Sequence, residues 1–266
     1  MLFWIVLGCA LLLLLLSGVS YIVEKRRRLL IKTIPTQSPK QVVLEEVGKS
    51  SELFMTEKAL EGSAPKYAII DCQTTGLSID EGCEDKIVEI SWLILDENYF
   101  EIERCSKRIL QLTAGSPEAK RIHHITEIAL ANTGEDEAEV LRVFWQSTAQ
   151  VPIWVFHNAH FDLSILRGAF RHHLPEALEP MMQKVAICTM TYLTAASTRE
   201  TKYSSLMELT SLLYDIPLHQ VSMPPIVSLR NVFLTRACLM RLMTEYKHLL
   251  KDNYPISVEQ HLLTRN

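Results

Sequence analysis

The sequence has no excess of basic residues, and this limits the partners that it can bind. The chain carries 27 Lys and Arg against 31 Asp and Glu. Residues 1–61 hold eight basic and six acidic residues, which leaves 19 basic and 25 acidic residues and a net charge of −6 for the remainder. This balance excludes tight, sequence-independent binding to DNA or RNA over a broad basic face. A local site for a phosphate group is still compatible with it.

Paired cysteine motifs are absent as well. The chain has six cysteines: Cys9, Cys72, Cys83, Cys105, Cys188 and Cys238. None of them forms a C-x-x-C pair, which excludes the common zinc-binding patterns. In a cytoplasmic domain we expect them to be reduced thiols that mostly pack in the interior.

Charge is missing altogether from residues 2–23, which are mostly Leu, Val, Ile and Phe. As a helix this segment would rise about 33 Å, enough to cross the hydrocarbon core of a bilayer. A cleaved signal peptide is the main alternative, but it should begin with basic residues, and none precedes Lys25. The basic run from Lys25 to Arg28 predicts that the following chain stays in the cytoplasm. We therefore expect a single-pass protein of the bacterial inner membrane, with its N-terminus outside.

The rest of the chain divides by composition. Residues 1–24 are predicted as the transmembrane anchor, and residues 25–65, rich in Pro, Gly and Ser, as a basic flank and cytoplasmic stalk. Residues 66–250 are predicted as the folded domain, and residues 251–266 as a C-terminal tail.

Within residues 66–250 the hydrophobic pattern predicts an α/β fold. Buried or alternating strands are expected at residues 66–71, 86–96, 99–110, 151–157 and 185–188. Amphipathic helices are expected to begin near residue 116 and to span residues 135–148, 161–172, 204–214 and 230–249. Three strands followed by strands that alternate with helices indicate a mixed five-stranded sheet with helices on both faces.

Two short stretches carry the candidate chemistry. In "IDCQTTGL" a buried strand delivers Asp71, and in "VFHNAHFDLSIL" a second strand is followed by a helix that begins near Asp162. Alone, Asp71 is equally well explained as a turn residue, and Asp162 as an acid that the dipole favours at a helix N-terminus. Together, two carboxylates that face one cavity would suit Mg²⁺, which prefers oxygen ligands.

Taken together, these stretches resemble the first two motifs of the DEDDh 3′–5′ exonucleases, the superfamily of the proofreading epsilon subunit of bacterial DNA polymerase III. "IDCQTTGL" is similar to Asp-x-Glu-Thr-Thr-Gly-Leu, and "HNAHFD" to His-Asn-Ala-x-Phe-Asp. "KIVEISWLILD" and "SPEAKRIHHIT" are similar to the strand and the turn that lie between them. The resemblance covers residues 66–245 and implies a ribonuclease H-like fold.

The resemblance also implies a site. Family members hold two Mg²⁺ or Mn²⁺ ions with four carboxylates and use a histidine as general base. Here it implies metal ligation by Asp71 and Asp162, and "IVSLRNVFLT" is the best match to the third motif. The nucleic-acid contacts implied by the first two motifs are Thr74, Thr75, Gly76, His157, Asn158 and Phe161.

Three positions depart from the pattern of the family. Gln73 replaces a metal-binding Glu, Asn231 replaces a metal-binding Asp, and Ile226 stands where the general-base His should be. The carboxylates fall from four to two, and an isoleucine cannot move a proton. His219 lies near Ile226, but no acid follows it at the interval that the motif requires, because position 224 is proline. We therefore expect at most one weakly bound ion.

The sequence thus favours a membrane-anchored, exonuclease-like domain with impaired or absent activity, a pseudo-enzyme. Its expected partners are the membrane, a nucleic-acid 3′ end or a nucleotide, and a protein of unknown identity. Two alternatives stay open: an active divalent-metal-dependent 3′–5′ exonuclease on DNA or RNA, and a pure protein-interaction domain.

Overall fold

A computed structural model describes residues 53, 54, 56–78, 85–192, 205–217, 223–245, 247 and 255–263. The predicted anchor and most of the predicted stalk lie outside these residues. Among the helices that the structure does describe, none is both long and apolar enough to cross a membrane.

The centre of the fold is one mixed β-sheet. Its strands in chain order are β1 (Tyr67–Thr74), β2 (Ile87–Leu95), β3 (Glu101–Ile109), β4 (Gly134–Glu135), β5 (Ile153–Phe156), β6 (Val185–Cys188) and β7 (Ile256–Ser257). They lie in the order β4-β3-β2-β1-β5-β6-β7. The pairs β1–β2 and β2–β3 are antiparallel, whereas β1–β5 and β5–β6 are parallel. The five predicted strands are present, but the prediction of a five-stranded sheet was wrong, because β4 and β7 extend its two edges.

Helices cover both faces of this sheet, as the sequence predicted. In the described residues they are α1 (Pro117–His123), α2 (Glu127–Thr133), α3 (Glu137–Thr148), α4 (Ala159–His173), α5 (Pro175–Met182), α6 (Thr189–Tyr192), α7 (Leu206–Tyr214), α8 (Val227–Thr244) and α9 (Val258–Leu263). Local signals fix several of their starts. Ser116 caps α1 with Pro117 in its first turn, and Ser205 forms a capping box with Glu208 at α7.

The alternation of side chains along β1 divides the interior into two layers. Ala68, Ile70 and Cys72 face a core that includes residues of α3 and α4. Tyr67 and Ile69 face the other core, which includes residues of α7 and α8. Because successive side chains of a strand point to opposite faces, Asp71 and Gln73 share the face of Tyr67 and Ile69, under α8.

Chain segments on either side of the predicted domain also pack on it. Leu53 is 1% exposed and belongs to the core beside α8, and Lys58 forms a parallel bridge with Glu101 of β3. At the other end, Val258 in α9 is fully buried in the core beside α4. The described parts of the predicted stalk and tail therefore contribute to the folded core.

We expect the substitution Leu53→Ala to lower the free energy of unfolding by about 2–4 kcal/mol, because it removes a buried side chain and leaves a cavity. The matched control is Leu60→Ala. Leu60 lies in the same segment but is 83% exposed, so its loss should change stability by less than about 0.5 kcal/mol. Urea unfolding of the two variants compares them directly. Equal stabilities would show that residue 53 does not belong to the core.

Candidate active site of an exonuclease-like fold

Three elements bring the predicted site residues together at Asp71. Strand β1 carries Asp71 and Gln73 on one face, and α8 presents Asn231 from its second turn. The Gln73 side-chain amide donates from Nε2 to Asp71 Oδ2 at 2.6 Å. The Asn231 amide donates from Nδ2 to Asp71 Oδ1 at 3.2 Å. Each carboxylate oxygen of Asp71 thus accepts from one of the two residues that replace acids of the family motif.

Asp162 enters the same site from α4. This helix begins at Ala159, directly after the parallel strand β5, so the acid lies in its first turn. Its Oδ1 atom accepts a hydrogen bond of 2.9 Å from the backbone N–H of Cys72. Asp162 is 5% exposed, and this bond ties it to the residue that follows Asp71. The structure therefore brings together all four positions at which the sequence placed metal ligands or their substitutes.

The two carboxyl groups are hard to ionise. Burial raises the pKa of Asp71 from 3.8 to about 7, although the hydrogen bonds from Gln73 and Asn231 oppose the rise. Burial also raises the pKa of Asp162 well above its usual range, and the nearby Asp71 adds to the rise. Both shifts have the sign expected for carboxyl groups that lack a cation, since desolvation disfavours the charged form.

The donor set does not match two divalent ions. Within the described parts of the chain, no cluster of three or more His, Cys, Asp or Glu side chains is arranged to hold a metal ion. The amides of Gln73 and Asn231 turn their NH₂ groups toward the two oxygens of Asp71. Both amides thus present donors rather than acceptors to Asp71.

A buried acid anchors the first turn of α8. Glu89, on β2, is 1% exposed and accepts from the backbone N–H and the hydroxyl of Ser228 at 3.2 and 2.8 Å. Arg108 on β3 donates to its other oxygen at 3.1 Å. Because α8 has no side-chain cap of its own, Glu89 supplies an acceptor for its N-terminal N–H groups. This contact fixes the turn that precedes Asn231.

The site opens into a cleft of about 330 Å³. The side chains that line it come from β1, α1, α4, α7, α8 and the loops beside them: Asp71, Cys72, Gln73, Thr74, Leu77, Ala119, Ile122, His123, His157, Asn158, Phe161, Asp162, Leu206 and Asn231. Its volume lies at the lower end of the range for small-molecule sites. Four of the six nucleic-acid contacts implied by the resemblance are among these residues: Thr74, His157, Asn158 and Phe161.

The remaining two, Thr75 and Gly76, are not among the lining residues and instead shape the turn after β1. The Thr75 hydroxyl accepts from Lys86 N at 2.9 Å. A Cβ atom added to Gly76 would lie 2.2 Å from an oxygen of Asp85, so the Asp85 side chain would have to move to admit it. The nucleic-acid role expected for Thr75 and Gly76 stays a prediction, because these local contacts do not test it.

Ile226 occupies the N-cap of α8, five residues before Asn231. Its side chain is half-buried, forms no capping hydrogen bond and is not among the residues that line the cleft. The sequence analysis placed Ile226 at the position of the general-base histidine. His219 lies outside the described residues.

Sequence reasoning did not single out two polar residues of the site, Glu89 and His123. Both fall in stretches noted only for their similarity to the strand and turn of the family. An acid flanked by apolar residues in a fully buried strand was the available signal for Glu89. The sequence carried no comparable signal for His123. It shows two adjacent histidines, and only the structure reveals that His123 is buried and His124 exposed. The apolar walls of the cleft, Leu77, Ile122 and Leu206, also emerged only with the fold.

A family comparison identifies the fold and its class. The model of the exonuclease family (RNase_T) matches residues 68–221, more than half of the chain. The chain belongs to this family, and its motifs place it in the DEDDh 3′–5′ exonuclease superfamily, as the sequence predicted. No curated protein matches the chain in a sequence search.

Solved structures of exonuclease I are similar in fold. The apo enzyme matches with a TM-score of 0.55 and 18% identity over 70% of this chain and 43% of its own. Exonuclease I of Methylocaldum szegediense matches with a TM-score of 0.54 and 21% identity over 69% of this chain and 41% of its own. E. coli exonuclease I in complex with a dA16 oligonucleotide matches with a TM-score of 0.53 and 19% identity over 69% of this chain and 41% of its own. The chain therefore spans less than half of the length of these relatives.

The raised pKa of Asp71 predicts how stability depends on pH. Between pH 3.8 and about 7 the unfolded chain has lost the Asp71 proton while the folded chain retains it. The free energy of unfolding should therefore fall as pH rises through this range. One pKa unit corresponds to about 1.4 kcal/mol, and the full shift counts for less because the cleft is open to solvent. We therefore expect Asp71→Asn to reduce the fall in the free energy of unfolding over this pH range by on the order of 2 kcal/mol.

Asp136→Asn is the control for this experiment. Asp136 caps α3 from an exposed position, and Asn caps a helix equally well. Denaturant unfolding in EDTA at several pH values gives the three profiles. If the profile of Asp71→Asn runs parallel to that of the wild type, Asp71 does not retain its proton in the folded protein.

Proposed function

We propose that this chain is a membrane-anchored, exonuclease-like protein that is catalytically impaired and uses its cleft to bind a nucleic-acid 3′ end or a nucleotide. The observation that carries the proposal is the pair of amide hydrogen bonds from Gln73 and Asn231 to Asp71. In this arrangement neutral hydrogen-bond donors satisfy the carboxylate that a metal site would leave free for a cation.

Charge supports the loss of two-metal chemistry. In the family, two ions stabilise the entering and the leaving oxygen of the displacement. Two ions would bring four positive charges to a site whose motif positions keep two carboxylates, Asp71 and Asp162, while the nearby Glu89 is already bound to Ser228 and Arg108. We infer that at most one Mg²⁺ or Mn²⁺ ion binds, and weakly. Ile226 supplies no general base, a loss that typically costs about 10²–10⁴ in rate.

Binding, in contrast, does not require the missing groups. The cleft keeps His157, Asn158 and Phe161, which offer hydrogen bonds and an aromatic face to a nucleotide. A related fold is known with an oligonucleotide, which favours a nucleic-acid end over an unrelated ligand. The net negative charge of the domain argues for contact with a few nucleotides rather than with a long stretch of strand. A role as a scaffold for a protein partner at the membrane fits the same site.

We further propose that residues 1–24 anchor the chain in the bacterial inner membrane. The basic flank and stalk of residues 25–65 would then lead to a cytoplasmic domain at residues 66–250 with the tail of residues 251–266. The uncharged segment and the basic run from Lys25 to Arg28 support this topology. A binding protein held there would present its cleft to nucleic acid near the membrane.

The first test concerns metal binding and catalysis. Wild-type protein should bind Mn²⁺ no better than weakly and should degrade oligonucleotides at background rate. The double variant Gln73→Glu with Asn231→Asp restores four carboxylates and should bind Mn²⁺ measurably in calorimetry. Adding Ile226→His should then bring weak exonuclease activity on 3′-labelled oligonucleotides, whereas each single change should do little, because catalytic groups act as a unit.

The control for this test is Asp71→Ala in the otherwise wild-type chain. If purified wild-type protein degrades DNA or RNA from the 3′ end with Mg²⁺ or Mn²⁺, and Asp71→Ala abolishes the activity, the chain is an active exonuclease. That result would overturn the proposed impairment and assign Gln73 to a working site.

A reporter fused after Asn266 tests the topology. Fused at this position, a reporter that works only in the cytoplasm should be active, and one that works only in the periplasm should be silent. The basic flank is expected to keep the C-terminal part of the chain in the cytoplasm. Replacing Lys25, Arg26, Arg27 and Arg28 with Gln should weaken this preference. A periplasmic signal from the wild-type chain, or a mature N-terminus beyond residue 20, would contradict the anchor.

A further inference from the structure

We propose that Arg230 supplies the cationic charge of the cleft and that its guanidinium binds the phosphate group of the 3′-terminal nucleotide. The inference rests on the proposed binding function and adds a residue that the motifs did not assign. Arg230 stands directly before Asn231, at the end of the first turn of α8.

The position of Arg230 on α8 places it beside the site. Its backbone N–H donates to the carbonyl of Ile226 at 2.9 Å, so one helical turn separates it from the position of the general base in the family motif. Residues four apart lie on the same face of a helix. Its neighbour in the chain, Asn231, donates to Asp71 and lines the cleft. Arg230 therefore lies between the two motif positions that carry the base and a metal ligand in the family.

The Arg230 side chain has no partner among the residues that the structure describes. Its Nε atom is buried without a hydrogen bond, and its guanidinium forms no ion pair with them. Five other arginines each pair with a glutamate: Arg104, Arg108, Arg121, Arg142 and Arg241. A polar group that is buried without a partner is destabilising, and an anion would satisfy it. No existing bond of the Arg230 guanidinium has to break before it binds a ligand.

The charge of Arg230 acts on the centre of the site. Burial raises the pKa of Asp71, and the positive charge of Arg230 is among the influences that oppose this rise. No acid stands in the first turn of α8, so the positive end of the helix dipole adds to the same region. Glu89 lies beside this turn, but it binds Ser228 and Arg108 and leaves the charge of Arg230 uncompensated.

This arrangement suits a phosphate better than a metal ion. A fixed cation near Asp71 repels a divalent ion, whereas a guanidinium binds two phosphate oxygens through parallel N–H groups. Arg230 itself is not among the residues that line the cleft, but the adjacent Asn231 is. The unpaired side chain would turn toward the cleft when a phosphate enters, and attraction to the anion would hold it there. The ligand is then a nucleotide or a nucleic-acid end that is recognised through its terminal phosphate.

The test compares Arg230→Gln with Arg241→Gln in the full-length chain. Both changes remove one positive charge from α8. Arg241 lies near the other end of this helix, where it pairs with Glu245 and stacks over Tyr214. Arg230→Lys is the conservative variant, because it keeps the charge and loses the planar fork.

Binding is measured by fluorescence anisotropy in EDTA, with a 5′-labelled single-stranded oligothymidylate that ends in a 3′-hydroxyl. We expect Arg230→Gln to weaken binding about tenfold, Arg230→Lys to weaken it less, and Arg241→Gln to leave it unchanged. Loss of one phosphate contact should also reduce the slope of log affinity against log salt concentration by about 0.7.

A second probe locates the phosphate, because it carries an uncharged methylphosphonate at its 3′-terminal linkage. Wild-type protein should bind this probe about tenfold more weakly than the first, since the charge that Arg230 recognises is gone. Arg230→Gln should bind both probes equally well. Its free energy of unfolding in urea should equal that of the wild type, because the guanidinium has no structural partner to lose.

The failures of the two proposals differ. Wild-type protein that binds neither the oligonucleotide nor thymidine monophosphate overturns the proposed binding function and this inference with it. Wild-type protein that binds while Arg230→Gln binds equally well, or while Arg241→Gln is weakened as much, overturns the inference alone. An Arg230→Gln variant that still distinguishes the two probes as the wild type does also overturns it, because another group then holds the terminal phosphate. A fall in the stability of Arg230→Gln has the same consequence, since it assigns the guanidinium to a structural contact.

Discussion

One carboxylate and the two amides that satisfy it determine the character of the cleft. Asp71 lies on β1, the central strand of the seven-stranded sheet, and both of its oxygens accept from neutral NH₂ groups. Replacing Glu by Gln and Asp by Asn keeps the shape of a family site while it removes two negative charges and adds donors. Under the proposed function, the amides take the place of a cation at Asp71 and do not supply the positive charge that stabilises phosphoryl transfer.

The fold explains why these side chains meet. The period of two along β1 places Asp71 and Gln73 on the face that α8 covers, and the parallel pairing of β1 with β5 brings the start of α4 to the same edge. Glu89 then fixes the first turn of α8 through Ser228, so that Asn231 points at Asp71 from a defined position. Asp71 and Gln73 thus belong to a strand, and Asp162 and Asn231 to the first turns of two helices.

The sequence predicted the five principal strands from hydrophobic alternation, and it predicted that Asp71, Gln73, Asp162 and Asn231 share one site from their places in three motifs. It did not predict β4 and β7, since strands of two residues carry no periodic signal. The motif also did not show that the turn at Thr75 and Gly76 packs against Asp85, since this contact depends on the fold. It also did not single out His123, because the sequence does not show which of two adjacent histidines lines the cleft.

Crystals of the wild-type protein soaked in Mn²⁺ test the central claim most directly, because anomalous scattering locates this ion without reference to activity. If the amides of Gln73 and Asn231 satisfy Asp71, the anomalous map should show no well-occupied peak between Asp71 and Asn231, and at most a weak one beside Asp162. Two strong peaks between Asp71 and Asp162, with the side-chain oxygens of Gln73 and Asn231 turned toward them, would contradict the claim that these amides replace a metal ion at Asp71.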